Sequence, residues 1–255
     1  MLLFLIILFT LIGSLFSLIG GLLLLIYKSW NESFSIKLVS FAAGVLLTTA
    51  FFDLLPEALE ESNNNPNIFG IIFLVIIAFF FLERSFFFFH HHHEDDDHHH
   101  GMEPSVKLLL LGDTVHNFID GIVIAASFLV SIPLGILTSL AVAAHEIPQE
   151  IADFSIMKSK GLKNSQAIKF NVFSALAALL GAVLTYLFAA SIEGYIWILL
   201  AAAGGMFIYI STADLIPELH HAYKKNRSIS QSMFFILGIV VTILFIKLVG
   251  LIVHV

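Results

Sequence analysis

The sequence of 255 residues contains no cysteine, and only 12% of its residues are charged. Without cysteine, the chain cannot belong to the disulfide-stapled folds of small secreted proteins. A soluble domain carries roughly 25% charged residues, so half that share is too little for a soluble globular protein or a disordered one. The net charge of −7 comes with no basic patch, which argues against a nucleic-acid partner.

Apolar residues make up 58% of the chain. They form eight runs, each about as long as a membrane-spanning helix requires, roughly 20 residues. The runs are about twice as long as the strands of a membrane barrel. We therefore predict an all-α membrane protein in which residues 1–255 form a single transmembrane domain with eight transmembrane helices. The predicted spans are residues 2–27, 36–55, 68–89, 106–130, 132–157, 168–190, 194–217 and 232–253.

Basic residues occur on one side of this predicted arrangement. Eleven of the 12 lysines and arginines fall in or beside the loops that follow spans 1, 3, 5 and 7, and the last, Lys247, lies in span 8. The loop after span 2 carries acidic residues instead, at 57–61. Because cytoplasmic loops are enriched in lysine and arginine, this pattern predicts that both termini face outside and that the loop at residues 90–105 faces the cytoplasm.

Two segments of the chain resemble each other. Residues 42–58 align without a gap with residues 203–219, and both contain the pattern D-L-x-P-E. The spans that hold them, 2 and 7, are five crossings apart and therefore run antiparallel. The alignment predicts an inverted 3+2+3 repeat, with repeat 1 in residues 1–89, spans 4 and 5 in residues 106–157, and repeat 2 in residues 163–255. Inverted repeats favour transport, because two pseudo-symmetric gates can open alternately around a central site.

Spans 4 and 5 contain ionisable side chains near the middle of the bilayer. Such groups cost at least about 2.5 kcal/mol each at that depth, so they must satisfy one another, a cation or a water-filled path. Residues four apart share a helix face, which pairs His116 with Asp120 and His145 with Gln149. Imidazole together with carboxylate suits zinc and other late first-row divalent ions better than magnesium or calcium. The candidate metal ligands are these four residues together with Asn117 and Glu146.

The motifs H-N-F-I-D-G at 116–121 and H-E-I-P-Q-E at 145–150 resemble the signature of the ZIP family of metal-ion transporters. The D-L-x-P-E segments of spans 2 and 7 extend the resemblance over essentially the whole chain, which most resembles the histidine-rich LIV branch. The resemblance implies import of zinc, iron, manganese or a related divalent ion toward the cytoplasm. It also implies a principal metal site of His116, Asp120, His145 and Gln149, and a second site of Asn117, Asp120, Glu146 and Gln149.

Two positions depart from the family pattern. Many two-metal members have a glutamate in span 6, whereas this chain has Ala178 near the expected position. We therefore expect one transported ion at a time. The LIV branch usually has histidine where this chain has Gln149. A neutral amide is a weaker ligand than imidazole, so we expect relaxed zinc selectivity or faster release.

Other polar residues could guide ions to and from the central site. Asp53 and Glu57 at the outer end of span 2 could attract cations, and Asp214, Glu218 and His221 at the inner end of span 7 could receive them. Solvated helix ends are the alternative interpretation.

The run at residues 90–100 combines histidines with four acids. We interpret it as a cytoplasmic metal-binding loop, an acceptor or sensor, with a low-complexity linker as the alternative. Its histidines are His90, His91, His92, His93, His98, His99 and His100.

Import of a divalent cation is the main functional hypothesis. Zn²⁺ is the first candidate, and Fe²⁺, Mn²⁺ and Cd²⁺ are alternatives. The ion is cargo, so we expect no cofactor and no enzyme activity. An exporter or metal sensor on the same site is an alternative, because a sequence does not encode direction. An intramembrane zinc hydrolase is disfavoured, because the H-E-x-x-H pattern of zinc proteases would have Gln149 in place of its second histidine. We expect a multi-pass protein of a prokaryotic-type cytoplasmic membrane and leave a homodimer open.

Overall fold

A computed structural model describes residues 1–26, 32–91, 104–226 and 229–253. Within these ranges the chain forms helices joined by short turns, which confirms the predicted all-α class. A 3₁₀ turn, Glu193–Tyr195, joins α8 to α9. The helices are α1 (Leu2–Ile26), α2 (Glu32–Thr49), α3 (Leu55–Glu61), α4 (Asn67–His91), α5 (Pro104–Val130), α6 (Ile132–Ser159), α7 (Asn164–Leu187), α8 (Ala189–Ile192), α9 (Ile196–Tyr209), α10 (Ile216–Asn226) and α11 (Ser230–Val253).

Several helical stretches have the length and composition of membrane spans. Two shorter apolar helices, Leu2–Ser14 and Asn67–Leu82, accompany them. Helix α6 is 28 residues long, but its second half carries acidic residues. Together these features fit an all-α multi-pass membrane protein. Within the described ranges, the five stretches that are long and apolar enough to cross a membrane are Phe34–Glu61, Leu109–Val130, Asn164–Leu187, Ala189–His221 and Ser230–Leu248.

The chain stays helical through both D-L-x-P-E segments, although the sequence predicted that the helices end there. The acidic residues at 57–61, predicted to lie in a loop, belong to α3. A π-helical segment, Ala50–Leu54, joins α2 to α3, and a second one, Ile210–Leu215, joins α9 to α10. Proline lacks an amide hydrogen, and its ring crowds the carbonyl group one turn earlier. A wider turn directly before Pro56 and Pro217 accommodates this crowding, so each helix continues.

The histidine-rich segment begins inside a helix. Helix α4 continues to His91 and α5 begins at Pro104, so His90 and His91 are helical and not part of the predicted loop at 90–105. Residues 71–91 contain no glycine or proline that would stop the helix. Residues 92–103, with the other five histidines, lie outside the described residues.

Glycines set two close crossings between helices. A Cβ atom at Gly121 of α5 would collide with the carbonyl oxygen of Ala178 on α7, and one at Gly181 of α7 would collide with the backbone of α5. Gly44 of α2 and Gly238 of α11 form the same kind of reciprocal crossing. Small residues let membrane helices approach closely. Helix α7 is thereby held directly against α5.

Helices α5 and α6 form a tight antiparallel hairpin. Only Ser131 separates them, and its hydroxyl oxygen accepts a hydrogen bond from the amide of Leu134 at 3.3 Å, which caps α6. His116 lies fourteen residues before Val130 and His145 thirteen after Ile132. At 1.5 Å per residue, each histidine is about 20 Å from the turn. The hairpin therefore brings the two histidines to the same depth.

Candidate metal centre

Four side chains of the α5–α6 hairpin converge on one point: His116, Asp120, His145 and Glu146. The Nε2 atoms of the two histidines lie 3.1 Å apart. His145 Nε2 is 3.4 Å from Asp120 Oδ2, and His116 Nε2 is 3.5 Å from Glu146 Oε1. The other two histidine–carboxylate distances are 3.7 and 3.8 Å. Ligand atoms of a tetrahedral zinc ion, each about 2.0–2.1 Å from the metal, are roughly 3.4 Å apart. The spacing suits such an ion.

The carboxylates of this cluster have no hydrogen-bond partner. Both carboxylate oxygens of Asp120 and of Glu146 are unpaired, and each side chain is only 1% exposed. A buried carboxylate without compensation is strongly unfavourable, so such groups pair with a charge or coordinate a metal. Among the ion pairs recorded for the described residues, these acids meet only the two histidines. A divalent cation would satisfy all four groups at once.

The orientation of His145 is fixed from two sides. Its Nδ1 atom lies 3.2 Å from the carbonyl oxygen of Ala141, one turn earlier on α6. A hydrogen bond from Nδ1 to a carbonyl leaves Nε2 as the free ligand atom. The ring of Phe207 packs edge-on against His145, with 5.9 Å between ring centroids. His145 is thus held with Nε2 directed at the cluster.

Two predicted ligands lie outside this group of four. Asn117 is buried, and its amide nitrogen donates hydrogen bonds to the backbone carbonyl oxygen and to Oδ1 of Asp113, at 3.2 and 2.9 Å. Gln149 is partly exposed and lines the adjacent cavity. The structure brings Glu146, expected in the second site, together with both histidines of the expected principal site. The division into two metal sites stays a prediction.

A cavity of about 670 Å³ leads away from the two histidines. Its walls include Gln149, Ala152 and Asp153 of α6 and, further from the cluster, Asp214 and Glu218. These two acids are among the predicted exit residues. The third, His221, is exposed on the next turn of α10. The cavity therefore connects the cluster with one end of the helix bundle.

The opposite side of the cluster is packed with apolar side chains. Phe207 is 0% exposed beside His145, and Leu46, Phe128 and Val142 are among the buried residues of the same core. Predicted entrance residues Asp53 and Glu57 lie at that end, where Oδ2 of Asp53 is buried without a hydrogen-bond partner. Buried apolar side chains therefore lie between the cluster and the D-L-x-P-E end of α2.

Three buried or partly buried acids lie beyond the predicted ligand set. Asp113 and Asp153 line the cavity, and Glu150 accepts a hydrogen bond from the amide of Asn171 on α7. The acids are visible in the sequence beside the two motifs, but their convergence with α7 depends on the crossing at Gly121 and Gly181. Ala178, where a shared glutamate was expected, is buried at that crossing.

Comparison with known proteins gives one consistent result. The family model "ZIP Zinc transporter" matches residues 2–107 and 89–246. The chain is 44% identical over 119 residues to the metal cation symporter ZIP14 of Homo sapiens. The matched segment covers 47% of this chain and 24% of that protein. It is 40% identical over 122 residues to the zinc transporter ZIP4 of Homo sapiens, covering 46% of this chain and 19% of that protein.

A longer match involves the zinc transporter ZIP13 of Pongo abelii, with 33% identity over 217 residues, or 82% of this chain and 66% of that protein. The matched part of the chain spans about a quarter or less of ZIP14 and ZIP4 and about two thirds of ZIP13.

Proposed function

The chain belongs to the ZIP family of zinc transporters, as predicted, and from this premise we propose that it carries a divalent metal cation across a membrane. The proposed path passes through the four-ligand cluster of His116, Asp120, His145 and Glu146. The observation that carries the proposal is the position of this cluster at the closed end of the cavity, with both carboxylates unpartnered. A cation at this position would meet carboxylates that no hydrogen bond within the described residues satisfies.

Zinc is the proposed cargo. Two imidazoles and two carboxylates at nearly tetrahedral spacing suit Zn²⁺, whereas magnesium and calcium prefer oxygen ligands alone. Fe²⁺, Mn²⁺ and Cd²⁺ remain alternatives, because imidazole and carboxylate also bind other divalent ions. Gln149, on the cavity wall, would offer a departing ion only a weak amide oxygen.

Import toward the cytoplasm is the proposed direction. The cavity opens at the end of the bundle that holds the α6–α7 turn, where Lys158, Lys160 and Lys163 lie. Basic residues mark the cytoplasmic side of membrane proteins. The apolar packing around Phe207 then faces outside. This arrangement fits an inward-open state.

The inverted 3+2+3 repeat of eight spans is part of the proposal. Both π-helical segments end at equivalent leucines of the D-L-x-P-E pattern, Leu54 and Leu215. The packing is also paired: α2 with α11 corresponds to α9 with α4, and α1 with α6 corresponds to α7 with α5. Each pair of helices maps onto its counterpart when α1 is exchanged with α7, α2 with α9, α4 with α11 and α5 with α6. Two pseudo-symmetric halves of this kind can open alternately to the two sides of a membrane, which supports a transport function.

The test is the initial rate of zinc uptake into proteoliposomes that contain a zinc-sensitive dye. We expect saturable uptake by the parent protein, and uptake at the level of protein-free vesicles for His145→Ala and Asp120→Asn. Glu193→Gln is the matched control, because it removes an exposed carboxylate in the 3₁₀ turn and should keep the parent rate.

Two outcomes would contradict the proposal. Parent-like uptake by both cluster variants would remove these residues from the path. If the folded parent binds zinc but moves neither zinc, iron, manganese nor cadmium, a metal sensor becomes the better interpretation.

A further inference from the structure

A second group of acidic side chains lies along the cavity, beyond the four-ligand cluster. Asp113 is one helical turn before His116 on α5, whereas Glu150 and Asp153 are one and two turns after Glu146 on α6. At 1.5 Å per residue, these positions are roughly 5–10 Å further toward the open end. Asp113 is 6% exposed and Glu150 is 1% exposed, and Asp153 lines the cavity wall.

Within the described residues, no ion pair joins these three carboxyl groups to a lysine, an arginine or a histidine. Asp113 and Asp153 act on each other and on Glu150 as like charges. No lysine or arginine within the described residues is recorded as offsetting them. Their hydrogen bonds come from neutral groups: the Asn117 amide donates to Asp113 and the Asn171 amide donates to Glu150, and the neutral hydroxyl of Ser174 also faces Asp113. Carboxylates held together in a poorly hydrated site are stabilised when a cation binds among them.

The amide oxygen of Asn171 on α7, which has no hydrogen-bond partner, also indicates a cation at this place. Asn171 is 2% exposed, and its amide nitrogen is used in the hydrogen bond to Glu150. The other end of that amide, Oδ1, has no hydrogen-bond donor although it is buried. An ionised carboxylate cannot donate a hydrogen bond to this amide oxygen. Both are ligands that a divalent cation accepts.

We propose that Asp113, Glu150, Asp153 and the amide oxygen of Asn171 form a second cation-binding station between the four-ligand cluster and the mouth of the cavity. In the described residues, only the four-ligand cluster has ligand atoms that all lie within 4.8 Å of one another. The second station is wider, so its ion keeps part of its water shell.

Its donors are all oxygen, without imidazole, and hold a late first-row ion more weakly than the cluster does. An ion leaving the cluster therefore passes to a weaker, wetter site before release. This role deepens the proposed function and rests on it.

The test counts ions bound to the purified full-length chain by electron paramagnetic resonance, with Mn²⁺ as the probe because manganese accepts carboxylate and amide oxygens. We expect Asp153→Asn to lose one bound ion relative to the parent, and Asp120→Asn to lose a different one, so that the double variant loses both. Ions held by residues 90–100 are common to all variants and cancel in the comparison. Glu193→Gln should bind as many ions as the parent.

Glu150→Gln provides a second variant that is independent of Asp153. It should raise the Kd of the weaker ion about 10-fold or more, because losing even an outer-shell partner of a metal ligand costs about 10- to 100-fold in affinity. If Asp153→Asn and Glu150→Gln both bind ions with the parent's number and Kd, the station does not exist, and the proposed transport function is untouched. If instead both variants lose the ion while His145→Ala transports zinc normally, the station stands and the proposed path fails.

Discussion

The Nε2 atoms of His116 and His145 lie 3.1 Å apart although 29 residues separate them in the chain. Two imidazole nitrogens at this distance cannot both be protonated without strong repulsion, but they can both face one cation. The single-residue link between α5 and α6 sets this relationship, because it places the two histidines equally far from the turn. The approach of the two histidines therefore depends on the shortness of one loop.

Replacing Glu146 should impair zinc binding more than replacing Gln149. Glu146 Oε1 is 3.5 Å from His116 Nε2, whereas Gln149 lies on the cavity wall. We expect Glu146→Gln to raise the zinc Kd by at least about 10- to 100-fold, the cost of losing an outer-shell partner alone, and Gln149→Ala to raise it several-fold less. Isothermal titration of the purified variants measures both values. The reverse order would restore Gln149 as the ligand and remove Glu146 from the cluster.

The sequence predicted the hairpin and its histidines because their motifs, spacing and depth are local properties. The family resemblance assigned Glu146 to a neighbouring second site, and that division stays a prediction. Helical spacing fixes the face of a residue to about 100° but not how far its side chain reaches, so it could not place Glu146 beside the two histidines. The π-helical segments had no sequence signal beyond Pro56 and Pro217. The contact of Asn171 with Glu150 depends on how α7 crosses α5, which no local pattern encodes.

The absence of cysteine allows the open side of the cavity to be mapped with single thiols. Ala152 is exposed on the cavity wall, whereas Val142, ten residues earlier on α6, is 3% exposed in the apolar packing. We expect a membrane-impermeant maleimide to label Ala152→Cys from the cytoplasmic side. Val142→Cys should react only after unfolding in detergent. Labelling of Ala152→Cys from the outside alone would reverse the proposed orientation.

A single added methyl group at Gly121 should destabilise the protein. The Cβ atom would meet the carbonyl oxygen of Ala178, and backbone cannot move aside as a flexible side chain can. Overpacking of this kind costs about 1–3 kcal/mol. Gly70→Ala is the matched control, since nothing lies within 4 Å of a Cβ atom there. Thermal unfolding in detergent should show a lower midpoint for Gly121→Ala than for the parent and the control. Equal midpoints would mean that the α5–α7 crossing is looser than described.

Replacing the seven histidines of residues 90–100 with serine should change the apparent zinc affinity of transport without abolishing it. The four-ligand cluster and the cavity are built from other residues, so the path itself stays intact. Serine substitution is preferable to deletion, because His90 and His91 belong to α4 and a deletion would shorten that helix. Zinc uptake as a function of concentration should show a changed KM with a maximal rate close to that of the parent.

Replacing the four acids of the same run with asparagine and glutamine separates the effect of histidine from that of charge. A serine variant that is folded, as judged by its unfolding temperature, and yet moves no zinc would make this segment part of the transport path.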